Sequence, residues 1–175
     1  MTLIFKQIFA LLKVLNSDTG EKQIAWGLAC GLVMGFAPAF SLQTLLIFIL
    51  IFTFRIQIGA AFVSAFFFSL VAYIFDPLFH VIGASILEMD GLKAIFTIMY
   101  NLPILPFTKF YNSVVMGAGA VSLVLFPFAY LISKKMILKY RITVVARLEK
   151  TKFWKAIKAT SFYKWYAKYD SLYGR

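Results

Sequence analysis

The sequence predicts an all-α integral membrane protein, and its composition, its uncharged stretches and its charge distribution lead to that class. Hydrophobic residues make up 62% of the 175-residue chain, aromatic residues 18% and charged residues only 14%. A soluble domain carries about a quarter charged residues and about half apolar ones, so it could not bury this many apolar side chains. Uncharged stretches of bilayer length recur along the chain, and twelve of the 18 Lys and Arg residues follow position 133.

The N-terminal stretch, residues 3–15, predicts a helix that lies on the membrane surface. Its sequence is LIFKQIFALLKVL, which places Lys6, Gln7 and Lys13 on one helical face and most of the apolar side chains on the others. A basic amphipathic helix of this kind is typical of the interface of an anionic leaflet. No small-residue cleavage site follows it, so the stretch does not resemble a secretory signal.

Residues 23–54 predict a re-entrant helical hairpin that enters and leaves the membrane from one side. No charged side chain lies between Gln23 and Phe54, and Pro38 divides the stretch into halves of 15 and 16 residues. Each half is about 22–24 Å long as a helix, which is shorter than the hydrocarbon core of about 30 Å. The alternative is one long helix kinked at Pro38, which at about 48 Å would overshoot the core.

Small residues at intervals of four predict close helix packing. A helical face without side chains lets another backbone approach, and apolar helices associate in lipid in this way. These predicted packing residues are Gly27, Gly31 and Gly35 in the first half of the hairpin and Ala61, Ala65 and Ser69 in the next helix.

Two further stretches predict membrane spans. Residues 56–75 and 110–133 contain no charged residue, and 20 residues of helix cover about 30 Å. Between the spans, residues 77–109 form a predicted outer segment, and the dipeptide Asp76-Pro77 predicts the start of a helix because Asp favours the N-cap and Pro the first helical position. Residues 1–133 are therefore the predicted membrane domain.

Polar side chains inside or beside these stretches form the candidate site. Ser41 is expected to cap the second half-helix, whose N-terminal end could hold an anion or only satisfy the broken backbone. Arg55 either snorkels to the headgroups or points into the bundle. An Asp76–His80 pair could relay protons, or Asp76 is only a cap and His80 lies among headgroups. The full set is Ser41, Gln43, Arg55, Gln57, Asp76 and His80.

Residues 134–175 predict a basic, aromatic tail on the cytoplasmic side. The tail carries twelve Lys or Arg residues against two acids, and cytoplasmic flanks of membrane spans attract basic residues. Basic side chains beside aromatic rings suit an amphipathic helix on an anionic leaflet or a docking partner rather than nucleic acid. The predicted contact residues are Lys155, Lys158, Lys164, Trp165 and Lys168.

The motifs GLACGLVMGFAP, PAFSLQ, FRIQ and FDPL, in this order over residues 23–90, resemble a family of small bacterial inner-membrane proteins classed as a domain of unknown function. The family pattern is a glycine-rich helix followed by P-x-x-G-x-Q, R-x-N and N-P-L. This chain differs in having Ser41 in place of Gly, Gln57 in place of Asn and Asp76 in place of Asn. The resemblance implies an inner-membrane location and no particular reaction.

These observations predict a non-enzymatic, multi-pass inner-membrane protein with both termini in the cytoplasm. It would act as an anchor or subunit of an envelope assembly or lipid-handling complex, bound to anionic lipids and to a larger membrane or envelope protein. The alternative is a carrier or scramblase for a lipid or small anion that uses the re-entrant half-helix. Neither hypothesis requires a cofactor, because the chain has one His and one Cys and no motif typical of a metal or phosphate site.

Overall fold

The computed structural model describes residues 3–38 and 40–145, which are mostly helical and contain no strand. The chain divides into two units between Ile137 and Leu138, and the described part of the second unit is only residues 138–145. The predicted tail residues Lys155, Lys158, Lys164, Trp165 and Lys168 lie outside the described residues. In chain order the helices are α1 (Leu3–Leu15), α2 (Glu21–Phe36), α3 (Leu42–Thr53), α4 (Ile58–Leu87), α5 (Asp90–Tyr100), a 3₁₀ turn (Leu105–Thr108), α6 (Ser113–Tyr140) and a π turn (Arg141–Val145).

Helices α2 and α3 form a helical hairpin whose two ends return to the same level of the molecule. The backbone N–H of Gln57, just after α3, donates a hydrogen bond to the Gln23 carbonyl near the start of α2, at 3.3 Å. Helix α4 then starts beside α2 and runs parallel to it, since Gly27 faces Ala60 and Gly35 faces Phe68. The break near Pro38 agrees with the predicted division of the stretch into two half-helices.

Helix α2 is the centre of the packing. Ten of its sixteen residues are buried, from Ile24 to Phe36. Helix α6 covers another side of it, because the Trp26 ring lies 5.5 Å from Phe126 and 4.7 Å from Tyr130 between ring centroids. A helix buried on most of its circumference is apolar on most of its circumference, which accounts for the long uncharged stretch in the sequence.

Helices α4 and α6 run antiparallel. At one end Gly83 of α4 meets Gly117 of α6. At the other end Ala60 of α4 and Ile137 of α6 share an apolar cluster with Val14 of α1. The same cluster includes the start of α2, so α1 packs at the end of the bundle where α2 and α4 begin.

The predicted helix start at Asp76-Pro77 is wrong. Helix α4 continues through both residues and ends at Leu87, so residues 77–87 belong to a 30-residue helix and not to a separate segment. A proline removes one backbone hydrogen bond but is tolerated within long apolar helices, and its preference for the first helical position is therefore not decisive there. Helix α6 likewise contains Pro127 and continues to Tyr140.

Two helices are long and apolar enough to cross a membrane. They are Ile58–Leu87 and the continuous helical stretch Ser113–Thr143, and only 28% and 22% of their most apolar windows are buried within the structure. Large apolar side chains are exposed along both, among them Tyr73 and Ile74 on α4 and Leu123 and Val124 on α6.

Candidate functional site

The three glycines of α2 lie directly against the backbone of α4. A Cβ atom added at Gly27 would lie 2.5 Å from the Gln57 carbonyl oxygen and 2.8 Å from Ala60 Cβ. Real Cβ atoms do not approach other atoms this closely, so any side chain at Gly27 would push the helices apart.

The same seam continues along α2 to its end. A Cβ at Gly31 would meet the Ala61 carbonyl and lie 2.5 Å from Ser64 Cβ, and the Ser64 hydroxyl donates a hydrogen bond to the Leu28 carbonyl at 2.8 Å. A Cβ at Gly35 would lie 2.6 Å from the Ala65 carbonyl oxygen and from Phe68 Cβ, and 3.0 Å from the Ser69 nitrogen. The structure thus brings the small residues of both helices together, with Ala60, Ser64 and Phe68 as further contacts.

Sequence reasoning missed a second glycine contact, between α4 and α6. A Cβ atom at Gly83 would overlap the Ser113 carbonyl, and one at Gly117 would overlap the Phe79 carbonyl. The other glycine of α4, Gly59, is near its start, and the residues four before and four after Gly83 are Phe79 and Leu87, so no four-residue repeat of small residues marks Gly83. The sequence around Gly117, MGAGA, is rich in small residues, and this is the one signal that could have identified the crossing.

The hairpin break is held by a compact hydrogen-bonded cap. The Ser41 Oγ atom accepts a hydrogen bond from the Thr44 backbone N–H at 3.2 Å, which is the predicted N-cap of α3. The Thr44 hydroxyl lies 3.0 Å from Ser41 Oγ and donates to the Pro38 carbonyl, also at 3.0 Å. Ser41 and Thr44 are buried, whereas Pro38 and Phe40 are exposed. The cap satisfies backbone groups that the break would otherwise leave free.

Gln43 joins the hairpin to α6. Its Nε2 atom donates a hydrogen bond to the Val115 carbonyl at 3.0 Å, and its side chain fills the space beside Gly119 that a side chain there would occupy. The Gln43 Oε1 atom is buried and has no hydrogen-bond partner. An unpaired buried acceptor costs about 1–3 kcal/mol, so this amide is the least satisfied polar group near the break.

Gln57 and Arg55 lie at the other end of the hairpin. The Gln57 Oε1 atom caps α4 by accepting a hydrogen bond from the Ala60 backbone N–H. Arg55 is exposed in the α3–α4 connection and makes no hydrogen bond to Gln43 or Gln57. Snorkelling of Arg55 to the headgroups stays a prediction.

Asp76 and His80 lie on α4 without a hydrogen bond between them. The His80 Nδ1 atom is 2.6 Å from Ser113 Oγ at the start of α6, and the ring is exposed. Asp76 is half-buried within the helix. His80 therefore bridges α4 and α6 beside the Gly83–Gly117 crossing, and Asp76 stands one turn before it.

Most of these residues lie at helix contacts or at helix caps. Among residues 3–38 and 40–145 no group of three or more His, Cys, Asp or Glu side chains is placed to hold a metal ion. The Ser41 and Thr44 hydroxyls bond to each other and to the backbone, and the glycines lie at helix crossings. Among the buried side-chain nitrogen and oxygen atoms of the described residues, only Gln43 Oε1 lacks a hydrogen-bond partner.

The described residues thus define an all-helical protein with two helices able to cross a membrane. The chain belongs to the bacterial family described as "Uncharacterized protein conserved in bacteria (DUF2062)", whose model matches residues 7–144. It is similar to an "Uncharacterized protein" of Treponema pallidum (strain Nichols), with 23% identity over 138 residues that cover 79% of this chain and 85% of that relative. No solved structure matches the chain. The predicted membership of a bacterial family of unknown function is confirmed.

Proposed function

We propose that the protein is a non-enzymatic, multi-pass protein of the bacterial inner membrane that serves as an anchor or subunit of an envelope assembly or lipid-handling complex. The observation that carries the proposal is the contrast between the two sides of α4 and α6. Their inner sides meet other helices at glycine contacts, while large apolar side chains such as Tyr73 and Leu123 are 82% and 75% exposed. Such a surface is suited to lipid and is rare on soluble monomers.

The topology follows from the positions of the basic residues. Lys22 and Arg55 flank the two ends of the hairpin, and basic residues favour the cytoplasmic side. The hairpin would enter from that side and return to it, with α1 on the inner leaflet. The basic tail would lie in the cytoplasm, against anionic lipid or a larger membrane or envelope protein.

The hydrogen bonds at the hairpin break favour a role as a subunit over a role as a carrier. A half-helix that binds an anion offers its end to the ligand, whereas here the Ser41 side chain caps its own helix and Thr44 bonds to Pro38. The unpartnered Gln43 oxygen is an acceptor, and an acceptor does not stabilise an anion.

The test combines purification from membranes with a vesicle assay. The intact protein, purified in a mild detergent, should bring down one membrane or envelope partner in fixed stoichiometry. A test variant replaces Lys155, Lys158, Lys164 and Lys168 by Gln. This variant should remain in the membrane and lose the partner. The protein alone in vesicles should not scramble fluorescent lipids. Rapid scrambling by the protein alone would overturn the proposal in favour of the carrier.

A further inference from the structure

Helix α5 has one broad apolar face, and the rest of the structure covers only one side of it. Leu92, Phe96 and Met99 are partly buried against the rest of the structure, with the Phe96 ring 6.3 Å from the Phe110 ring. At 100° per residue Ile95 lies about 40° from Met99 and Ile98 about 60° further round, so the two isoleucines extend the same apolar face beyond its covered side. These two side chains are 52% and 65% exposed, so they form an exposed stripe that has no partner within the described residues.

The opposite face of α5 is polar and electrically neutral. Lys93 Nζ lies 2.6 Å from Asp90 Oδ1, and both side chains are exposed. Thr97 lies on the same face. Asp90 and Lys93 are the two charged residues between positions 90 and 108, so the net charge of the segment is zero. A charged partner would find nothing complementary here, whereas a polar face beside an apolar stripe fits a membrane surface without a requirement for anionic lipid.

Exposed apolar residues continue after α5 into the connection to α6. Ile104 is 73% exposed and Phe107, in the 3₁₀ turn, is 79% exposed. Tyr100 and Tyr111 stack edge to face, with ring centroids 5.6 Å apart. Tyrosines are enriched where a membrane protein meets the headgroups, so the composition of this end of the molecule matches an interface.

The length of α4 places α5 about one bilayer thickness away from the start of α4, where α1 packs. Thirty residues of helix extend about 45 Å, which equals the thickness of a bilayer including its interfacial regions. Val14 of α1 packs beside Gly59 and Ala60 at the start of α4, and α5 begins three residues after α4 ends at Leu87. The two amphipathic helices therefore adjoin opposite ends of one bilayer-length helix.

We propose that residues 90–108 lie along the membrane interface opposite to that of α1, with Ile95 and Ile98 inserted at the boundary between headgroups and acyl chains. The partner is the surface of a zwitterionic lipid bilayer. The inference rests on the membrane location proposed above. It adds that the molecule is attached to both interfaces, so the segment would not be a water-exposed loop.

The test is a spin-label depth measurement on the full chain in phosphatidylcholine vesicles. Cys30 is the single cysteine, so labels are introduced by Ile98→Cys, Thr97→Cys or Leu123→Cys in a Cys30→Ala background. Collision rates with oxygen, which concentrates in lipid, and with a water-soluble nickel chelate report depth. The ratio of oxygen to nickel collisions should be several-fold higher at position 98 than at 97. The label at 98 should lie about 5–10 Å below the headgroup boundary, and the label at 123 deeper still.

Each other outcome overturns a defined part of the proposal. Equal nickel accessibility at positions 97 and 98, with position 123 deep, would place α5 in water and leave the membrane location standing. Low accessibility of position 98 to both reagents would indicate a protein contact, such as a second copy. A water-accessible label at position 123 would refute the membrane location itself. All three labelled side chains are exposed, so labelling does not open the core, and Ile95→Cys provides a second reporter on the stripe.

Discussion

Individual residues decide how closely the helices of this protein approach one another. At Gly31 the neighbouring atoms are the Ala61 carbonyl and the Ser64 side chain, and at Gly117 they are the backbone of Phe79 and Gly83. Backbone atoms cannot rotate away as the end of a side chain can, so an added methyl group would have to shift a whole helix. Helix association in lipid depends on such close contacts, and these glycines therefore contribute to stability through the absence of a side chain.

Gly31→Ala should lower the free energy of unfolding by about 1–3 kcal/mol, the usual effect of overpacking a tight contact. Gly91→Ala is the matched control, since a Cβ at Gly91 would meet no atom within 4 Å and alanine favours a helix by up to about 1 kcal/mol. Thermal unfolding of both variants in the same detergent measures the difference. Equal unfolding midpoints would mean that α2 and α4 do not pack as the structure has them.

At the scale of the helices, the sequence predicted the helix boundaries that local signals set and missed those that neighbouring helices determine. Pro38 and Ser41 mark the break and the cap of α3 correctly, because the chain reverses there and the Ser41 hydroxyl bonds only three residues on. Asp76-Pro77 carries an equally good local start signal, but the packing of α4 against α2 and α6 keeps the helix continuous through it.

Helix α5 is an element that the sequence analysis did not predict. Residues 77–109 were predicted only as an outer segment, although residues 90–100 form an amphipathic helix. Its apolar residues lie on one helical face and Asp90, Lys93 and Thr97 on the other, so the 3.6-residue period was present in the sequence. Which side of that apolar face the protein covers depends on Phe110, which lies in another part of the chain, so periodicity alone could not assign the covered side.

The hairpin α2–α3 yields a prediction about access to its tip. Phe40 is 88% exposed on the protein surface beside the break, and a re-entrant hairpin would place it within the bilayer. In a Cys30→Ala background, Phe40→Cys should resist a membrane-impermeant maleimide added to either side of sealed membranes. Lys22→Cys and Phe54→Cys, at the two ends of the hairpin, should both react from the cytoplasmic side. Reaction of Phe40→Cys from the outside alone would show that the hairpin crosses the membrane.

For the whole molecule, the two proposals together fix the distance between the two interfacial helices, α1 and α5. Helix α1 packs beside Gly59 at the start of α4, α5 follows Leu87 at its end, and about 45 Å of helix separates them. If both amphipathic helices lie in interfaces, a bilayer much thinner or thicker than this spacing would pull one of them out of its preferred depth. A protein attached to one interface alone could move up or down at little cost.

Stability in vesicles should therefore depend on bilayer thickness and be greatest in bilayers with a hydrocarbon core near 30 Å. Mismatch costs a fraction of a kcal/mol per Å, so lipids several Å shorter or longer should lower the free energy of unfolding by on the order of 1–3 kcal/mol. Thermal unfolding in phosphatidylcholines of increasing chain length measures this. Ile95→Ser combined with Ile98→Ser should flatten the dependence of stability on bilayer thickness, because α5 would no longer insert apolar side chains into the interface. Thr97→Ser should leave this dependence unchanged. An equally flat profile in the unaltered protein would contradict attachment at both interfaces.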